Sequence, residues 1–328
     1  MSEQRGNSQS NKNARSIILK LIAVIIAAAF IWLLYSIYIS KVITWGDVYA
    51  AFGISESEEL SPEDKMDVLS ESGDTRVTFL YVGQGDCIVI EDAGKVAVID
   101  TGEYIEIDRL LSFLETRKIT KIDYLIATHP HTDHIGSMQT LVYDYSVSEI
   151  IFTSVPDDLT PTNATYINLL KAIDKTGTPV TIPSVGDKIS LGDGGFEVLY
   201  AGGGSALNNC SLVLIYTVGE RSFLLTGDAE FEVEDALAEE FGKRLRCDVL
   251  KAGHHGTKYA TGNNLLSAAK PEYVVIMCGT DNEYGYPKEQ VLGRIADAGG
   301  QVLRSDLNGI ITFTTDGQSL NVTTERAA

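Results

Sequence analysis

The chain has 328 residues, 44% of them hydrophobic, and a formal net charge of -19. That length and apolar content support a sizeable core in one large domain or two ordinary ones. So acidic a surface excludes gripping nucleic acid by electrostatics alone, because duplex binding leans on Lys and Arg; it does not exclude a nuclease, since bound metal ions bring their own positive charge.

From Ile17 to Ile39 the chain is apolar apart from Lys20 and Ser36. That run is long enough to cross a hydrocarbon core of ~30 Å, and Lys20 lies near enough to one end to snorkel. Arg5, Lys12 and Arg15 precede it, and the sequence turns acidic after Lys41. The positive-inside rule therefore predicts a cytoplasmic tail (1–16), a transmembrane anchor (17–39) and an extracytoplasmic remainder. Trp32, Tyr35, Tyr38 and Trp45 suit an interfacial belt. The alternative is a cleaved signal peptide processed at Ala27-Ala28-Ala29, but the apolar run continues well past that point. Residues 40–75, acidic and poor in large apolar side chains from Gly53 to Asp74, read as a juxtamembrane spacer.

A folded domain is expected over 76–328. Val77–Val82, Cys87–Ile90 and Val96–Ile99 read as strands of a meander, followed by a helix over 107–117 and a buried strand over 122–127. The second half repeats this layout, with strands near 196–200, 210–217 and 221–226, a helix over 230–241 and a strand over 247–251. Further strands are expected near 272–278, 301–304 and 310–314, with a helix over 288–298. Meander plus αβ units, twice over, predicts two sheets packed face to face with helices outside. Four widely spaced cysteines (Cys87, Cys210, Cys247, Cys278) lie in or beside apolar runs and read as buried free thiols, disulfides being the alternative.

All 5 histidines fall in two clusters, His129-Pro130-His131-Thr132-Asp133-His134 and His254-His255, each just past an expected strand. Neutral imidazole and carboxylate are the ligands that zinc and manganese prefer, and a strand end fixes the loop that aims them. This is the pattern of a metal-dependent hydrolase.

His-x-His-x-Asp-His resembles the hallmark of the metallo-β-lactamase fold superfamily. Four further phrases resemble the hydrolase domain of bacterial competence DNA-uptake channels: Val82-Gly83-Gln84-Gly85-Asp86, Asn209-Cys210-Ser211-Leu212-Val213-Leu214, Leu225-Thr226-Gly227-Asp228 and Leu250-Lys251-Ala252-Gly253-His254-His255-Gly256. The resemblance implies an α+β fold, an αββα sandwich, with one or two divalent ions (zinc or manganese) at one edge. His129 and His131 would hold the first metal. Asp133 and His134 would begin the second site, completed by His254 or His255, with Asp228 bridging. Asp100 would orient the ligand loop, and Asp86 would support the site or face substrate. Two departures stand out. No histidine lies between 134 and 254 to complete the first site, where Asn208 or Asn209 falls instead; and Tyr284-Gly285-Tyr286-Pro287 replaces the family's Tyr-Gly-His-Pro.

In such a site Asp133 would orient or deprotonate the attacking water. Asn209, Lys251 and Tyr286 are candidates to steady developing negative charge, against a surface role for Lys251 and a packing role for Tyr286. The function expected is a membrane-anchored extracytoplasmic metal-dependent hydrolase, a phosphodiesterase or nuclease acting on DNA or a cell-wall polymer. Its alternatives are hydrolysis of lactone, lactam or thioester bonds, and a non-catalytic metal-binding regulatory module.

Overall fold

Strands that alternate between two faces build this fold, because each strand meets a different core on each side. The computed structural model describes residues 74–327, which belong to one unit, Met66–Ala328. The expected cytoplasmic tail, transmembrane anchor and nearly all of the spacer lie outside the described residues. No helix among the described residues is long and apolar enough to cross a membrane.

The strands are β1 (Thr75–Phe79), β2 (Ile88–Asp92), β3 (Lys95–Ile99), β4 (Lys121–Ala127), β5 (Ser146–Phe152), β6 (Val180–Thr181), β7 (Lys188–Leu191) and β8 (Gly194–Ala201). They continue with β9 (Leu212–Val218), β10 (Arg221–Leu225), β11 (Val249–Lys251), β12 (Tyr273–Ile276), β13 (Gln301–Arg304), β14 (Ile311–Thr315) and β15 (Asn321–Thr324). One sheet has the order β15-β14-β1-β2-β3-β4-β5-β6 and the other β13-β12-β11-β10-β9-β8-β7. In each, an antiparallel meander gives way to parallel strands: β1-β2-β3 to β4 and β5, and β8-β9-β10 to β11 and β12. The twice-repeated layout is therefore present, with one difference. The strand expected near 310–314 crosses back to pair antiparallel with β1.

Three apolar layers result. Ile88, Ile90, Ala97 and Ile99 face Leu212, Leu214, Tyr216 and Phe223 between the sheets. Val89 and Val98 point the other way, onto helices Ile107–Thr116, Met138–Asp144 and Ala164–Thr176. Val213 and Ile215 likewise turn outward, onto helices Phe231–Phe241, Asn263–Ala269 and Glu289–Asp297. Phe313 anchors the inner layer, meeting Phe79, Phe223 and Tyr273 edge-on at 6.0, 5.9 and 5.4 Å. Each of the three phenylalanine rings, fully buried, contributes about 1.5–3 kcal/mol by leaving water. Asp92 ties the sheets through polar contacts: it accepts from Tyr216 Oη at 2.6 Å, Thr75 Oγ1 at 2.9 Å and Gly194 N at 2.7 Å. All four cysteines are free and buried, and burial pushes the Cys247 and Cys278 thiols up to about 12.

One buried carboxylate holds the second outer layer to the loop that follows β11. Glu234, 0% exposed, accepts from Thr261 N at 2.6 Å and Gly262 N at 2.7 Å, supplying acceptors for the start of helix Asn263–Ala269. Burial raises its pKa from the ordinary 4.5 to about 7. A raised acid favours its protonated form in the fold, so this stabilisation is full below about pH 4.5 and is lost as pH rises through about 7. Glu234→Gln should accordingly flatten that part of the pH profile of Tm. Wild type and variant profiles that stay parallel from pH 4.5 to 7 would contradict it.

Candidate metal centre

Parallel pairing brings the chemistry to one edge. β3 and β4 run parallel in one sheet, β10 and β11 in the other, so each pair's C-terminal ends share a rim. Beyond β4 lie His129, His131, Asp133 and His134; beyond β10 lies Asp228; beyond β11 lie His254 and His255. The β1–β2 loop packs beneath them. Gly85 has φ +151, and a Cβ there would collide with the Asp133 carbonyl oxygen, while Asp86 N donates to that same oxygen at 3.2 Å.

Two ligand-type groups converge around one carboxylate. Asp133, His134, Asp228 and His255 bring one donor atom each to within 4.8 Å of one another, as do His129, His131 and Asp228. Asp228 Oδ2 lies 3.2 Å from His134 Nε2, 3.4 Å from His255 Nε2 and 3.8 Å from His129 Nε2. His255 Nε2 is also 3.2 Å from Asp133 Oδ2. Of the two candidate histidines, the second group thus contains His255. His254 stands aside, its Nδ1 3.0 Å from Glu230 Oε1 and its Nε2 3.9 Å from Asp228 Oδ2. Both adopt left-handed backbone, φ 46° and 54°, a conformation costing roughly 1–2 kcal/mol per non-glycine residue; it splays the rings 71° apart.

The far ring nitrogens are held from behind. His134 Nδ1 meets Asp100 Oδ2 at 2.7 Å, and Asp100 is fixed in turn by Thr128 N at 2.8 Å and Thr128 Oγ1 at 2.6 Å. His255 Nδ1 meets the Met277 carbonyl at 3.0 Å, and His129 Nδ1 lies 3.2 Å from Thr128 Oγ1. Such contacts select the tautomer that leaves Nε2 as the donor atom. Asp228 Oδ1 and His134 Nε2 are buried without a hydrogen-bond partner, which fits residues arranged for a cation.

Electrostatics say the same. Burial pushes His129 and His131 below the ordinary range, leaving neutral imidazoles. Burial also opposes charge on His134 and His255, yet Asp228 and the other carboxylates outweigh it and raise both. Against burial, the neighbouring histidines hold Asp133 and Asp228 low. The carboxylates demand positive charge, which protons or a divalent ion can supply.

Two expected substrate contacts are relocated by the structure. Lys251 is 0% exposed; its ammonium lies 2.8 Å from Asp86 Oδ2 and donates to the Ala252 carbonyl at 2.7 Å. It is neither a surface residue nor a substrate-facing one but the buried counter-charge of Asp86, which in turn stands 3.3 Å from His255 Nδ1. Asn209 is turned inward, donating to Glu232 Oε2 at 3.0 Å and accepting from Glu230 N at 3.0 Å. Its neighbour Asn208 lines the cleft instead, with a buried Oδ1 that has no partner. Tyr286 does face the cleft, edge-on to His254 at 5.9 Å.

The cleft has a volume of about 320 Å³ and also exposes Gln84, Glu103, Thr132 and Tyr284. Sequence reasoning had not singled these out for the site, nor Glu230; Thr132 sits inside the histidine motif and Gln84 and Tyr284 inside quoted phrases, but at positions that carried no ligand or substrate role. Removing the Lys251 ammonium would strand the Asp86 charge in the interior. Lys251→Met is expected to cost about 3–5 kcal/mol of unfolding free energy, recovered in part by adding Asp86→Asn. Unchanged stability in a chemical-denaturation series would contradict the buried pairing.

Comparisons with known proteins agree with this geometry. Residues 80–280 match the sequence profile described as the metallo-beta-lactamase superfamily. The chain is 31% identical over 267 residues to ComE operon protein 3 of Bacillus subtilis (strain 168), covering 74% of this chain and 33% of that one. It is 26% identical over 278 residues to competence protein ComA of Neisseria gonorrhoeae, covering 82% and 35%. It thus spans about a third of the length of these relatives. Among solved structures, the metallo-beta-lactamase fold protein YhfI of Bacillus subtilis superposes with a TM-score of 0.51 at 12% identity, covering 74% of this chain and 100% of that one. CmlA, a diiron beta-hydroxylase from Streptomyces venezuelae, gives 0.50 at 15% identity, covering 81% and 59%; both likenesses concern the fold. With a sequence match over most of the sandwich, two facing sheets and His-x-His-x-Asp-His at their shared edge, the chain belongs to the metallo-β-lactamase superfamily.

Proposed function

We propose that the chain is a metal-dependent phosphodiesterase of nuclease type, anchored to the cell membrane by residues 17–39 with its folded domain outside. The observation carrying the catalytic part is that Asp228 belongs to both ligand groups. A single carboxylate shared in this way suits two divalent ions close together, zinc or manganese. Bound there, such ions would acidify water enough to supply hydroxide near neutral pH and would offset charge on a phosphodiester.

The chain's own residues supply the rest. His129 and His131 would hold one ion, Asp133, His134 and His255 the other, and Asp228 both. Asp133, 3.2 Å from His255 and facing the cleft, would orient the attacking water. The Asn208 amide and the Tyr286 hydroxyl, both of residues lining the cleft, would steady the reacting group's oxygens. Asp100 and Asp86 would act through His134 and His255 rather than on substrate. Competence proteins as relatives support a DNA-related substrate, and a cell-wall phosphodiester is compatible with an external domain. One observation favours a second reading, hydrolysis of a lactone, lactam or thioester: no Lys or Arg lines the cleft among the described residues.

The full chain, loaded with manganese or zinc, should cleave methyl p-nitrophenyl phosphate and short deoxynucleotide phosphodiesters. Asp228→Asn and Asp133→Asn should each reduce this to background, as should a chelator. Turnover that survives Asp133→Asn, or metal binding with no phosphodiester cleaved, would refute the phosphodiesterase reading. For the anchor, the chain should sediment with membranes and be digested by protease added outside intact cells. Recovery in the soluble fraction of lysed cells would refute it.

A further inference from the structure

Beside Tyr286 the cleft carries a second aromatic ring, Tyr284, for which the hydrolytic chemistry has no use. Tyr284 stacks on Tyr286 with ring centroids 5.4 Å apart and planes 17° apart, yet remains 53% exposed at the cleft. The segment bearing the pair is fixed. Asn282 Nδ2 donates to the carbonyls of Gly279 at 2.9 Å and Tyr286 at 2.8 Å, and its Oδ1 accepts from Tyr286 N at 2.8 Å. Lys288 Nζ donates to the Tyr284 carbonyl at 2.6 Å. A ring already held in place loses little freedom when a planar group stacks on it, which is how single-stranded nucleic acid is held without sequence preference.

Charge limits what accompanies that planar group. Proteins that follow a polynucleotide line the track with Lys and Arg; here Lys288 stands behind the tyrosine pair, its ammonium held by the Tyr284 carbonyl and 5.4 Å from the Tyr286 ring centroid, and no Lys or Arg lines the cleft itself among the described residues. Glu103 lines it instead, its carboxyl raised by burial and by Asp133, Glu106 and Glu283 nearby. A phosphate at the ligand cluster is offset by metal ions, whereas further phosphates leaving the cleft would pass these carboxylates.

We propose that the cleft selects a nucleotide-sized phosphodiester, its base stacked on Tyr284 and its phosphate at the Asp133–Asp228–His255 cluster, and disfavours a long polynucleotide. The bond that is cut rests on the phosphodiesterase reading above; the ligand that is bound does not. Tyr284 is then a specificity-determining residue that takes no part in bond cleavage.

Binding to the zinc-loaded full chain tests this by calorimetry, with adenosine monophosphate against ribose 5-phosphate, which carries the same phosphate and no base. The nucleotide should bind about tenfold tighter. Tyr284→Ala should abolish the preference and Tyr284→Trp should keep it. Equal affinities in the wild type, or a preference that survives Tyr284→Ala, would overturn the stacking assignment. In competition, a long deoxyadenylate strand should bind no tighter than a deoxyadenylate dinucleotide; a strand binding tenfold tighter would overturn the size limit. Tyr284-dependent nucleotide binding without cleavage of any phosphodiester would leave this inference standing and remove the catalytic one. Cleavage of methyl p-nitrophenyl phosphate without any base preference would do the reverse.

Discussion

Asp228 lies where the two halves of the sandwich meet, almost without exposure, and its charge has to be balanced from both. His129 and His134 reach it from the β4 side and His255 from the β11 side. Burying a carboxylate is costly unless positive charge and hydrogen bonds surround it. Much of the surrounding architecture follows from that need. Asp100 aligns His134, the Met277 carbonyl aligns His255, and the Ser211 hydroxyl accepts from the Asp228 main-chain N–H at 3.0 Å. Even the left-handed backbone at His254 and His255 is intelligible as the turn that presents one imidazole to this carboxylate.

That dependence also explains the two relocated residues. Asp86 lies beneath His255, and without Lys251 it would add an unbalanced negative charge to an already acidic cluster. Asn209 reaches the main chain and side chain at the start of the helix Phe231–Phe241, steadying the segment that follows Asp228. Both serve the centre by holding its frame.

Much of this was legible in the chain. Short β-rich runs joined by tight turns located the meanders, and the spacing of the histidine motif named the ligand loop, because a metal donor set is strict about residue type and order. Illegible features were those decided by a single step of rotation. Asn208 and Asn209 are adjacent on a short 3-10 turn and point opposite ways, so spacing could not choose between them; the same holds for His254 and His255. Lys251 was hidden by the ordinary expectation that lysine faces water. β5 was missed because Ser146–Glu149 is partly exposed and polar, with only Ile150–Phe152 buried. The helix Ala164–Thr176 did announce itself, through the Asn163 cap on Tyr166 N and left-handed Gly177, but its short-range signals lay between two louder motifs.

The pairing of β14 with β1 has a consequence for the order in which the molecule is made. β1 begins at Thr75, yet the neighbour that covers its outer side starts only at Ile311. Through most of synthesis β1 therefore presents an open row of amide and carbonyl groups, the kind of edge that invites foreign strands. Closing this side of β1 waits until Ile311–Thr315 have emerged, a contact of long sequence separation and so a slow one. β14 acts as a latch on the first strand of the domain, and a chain not yet grown past residue 311 leaves that strand unfastened.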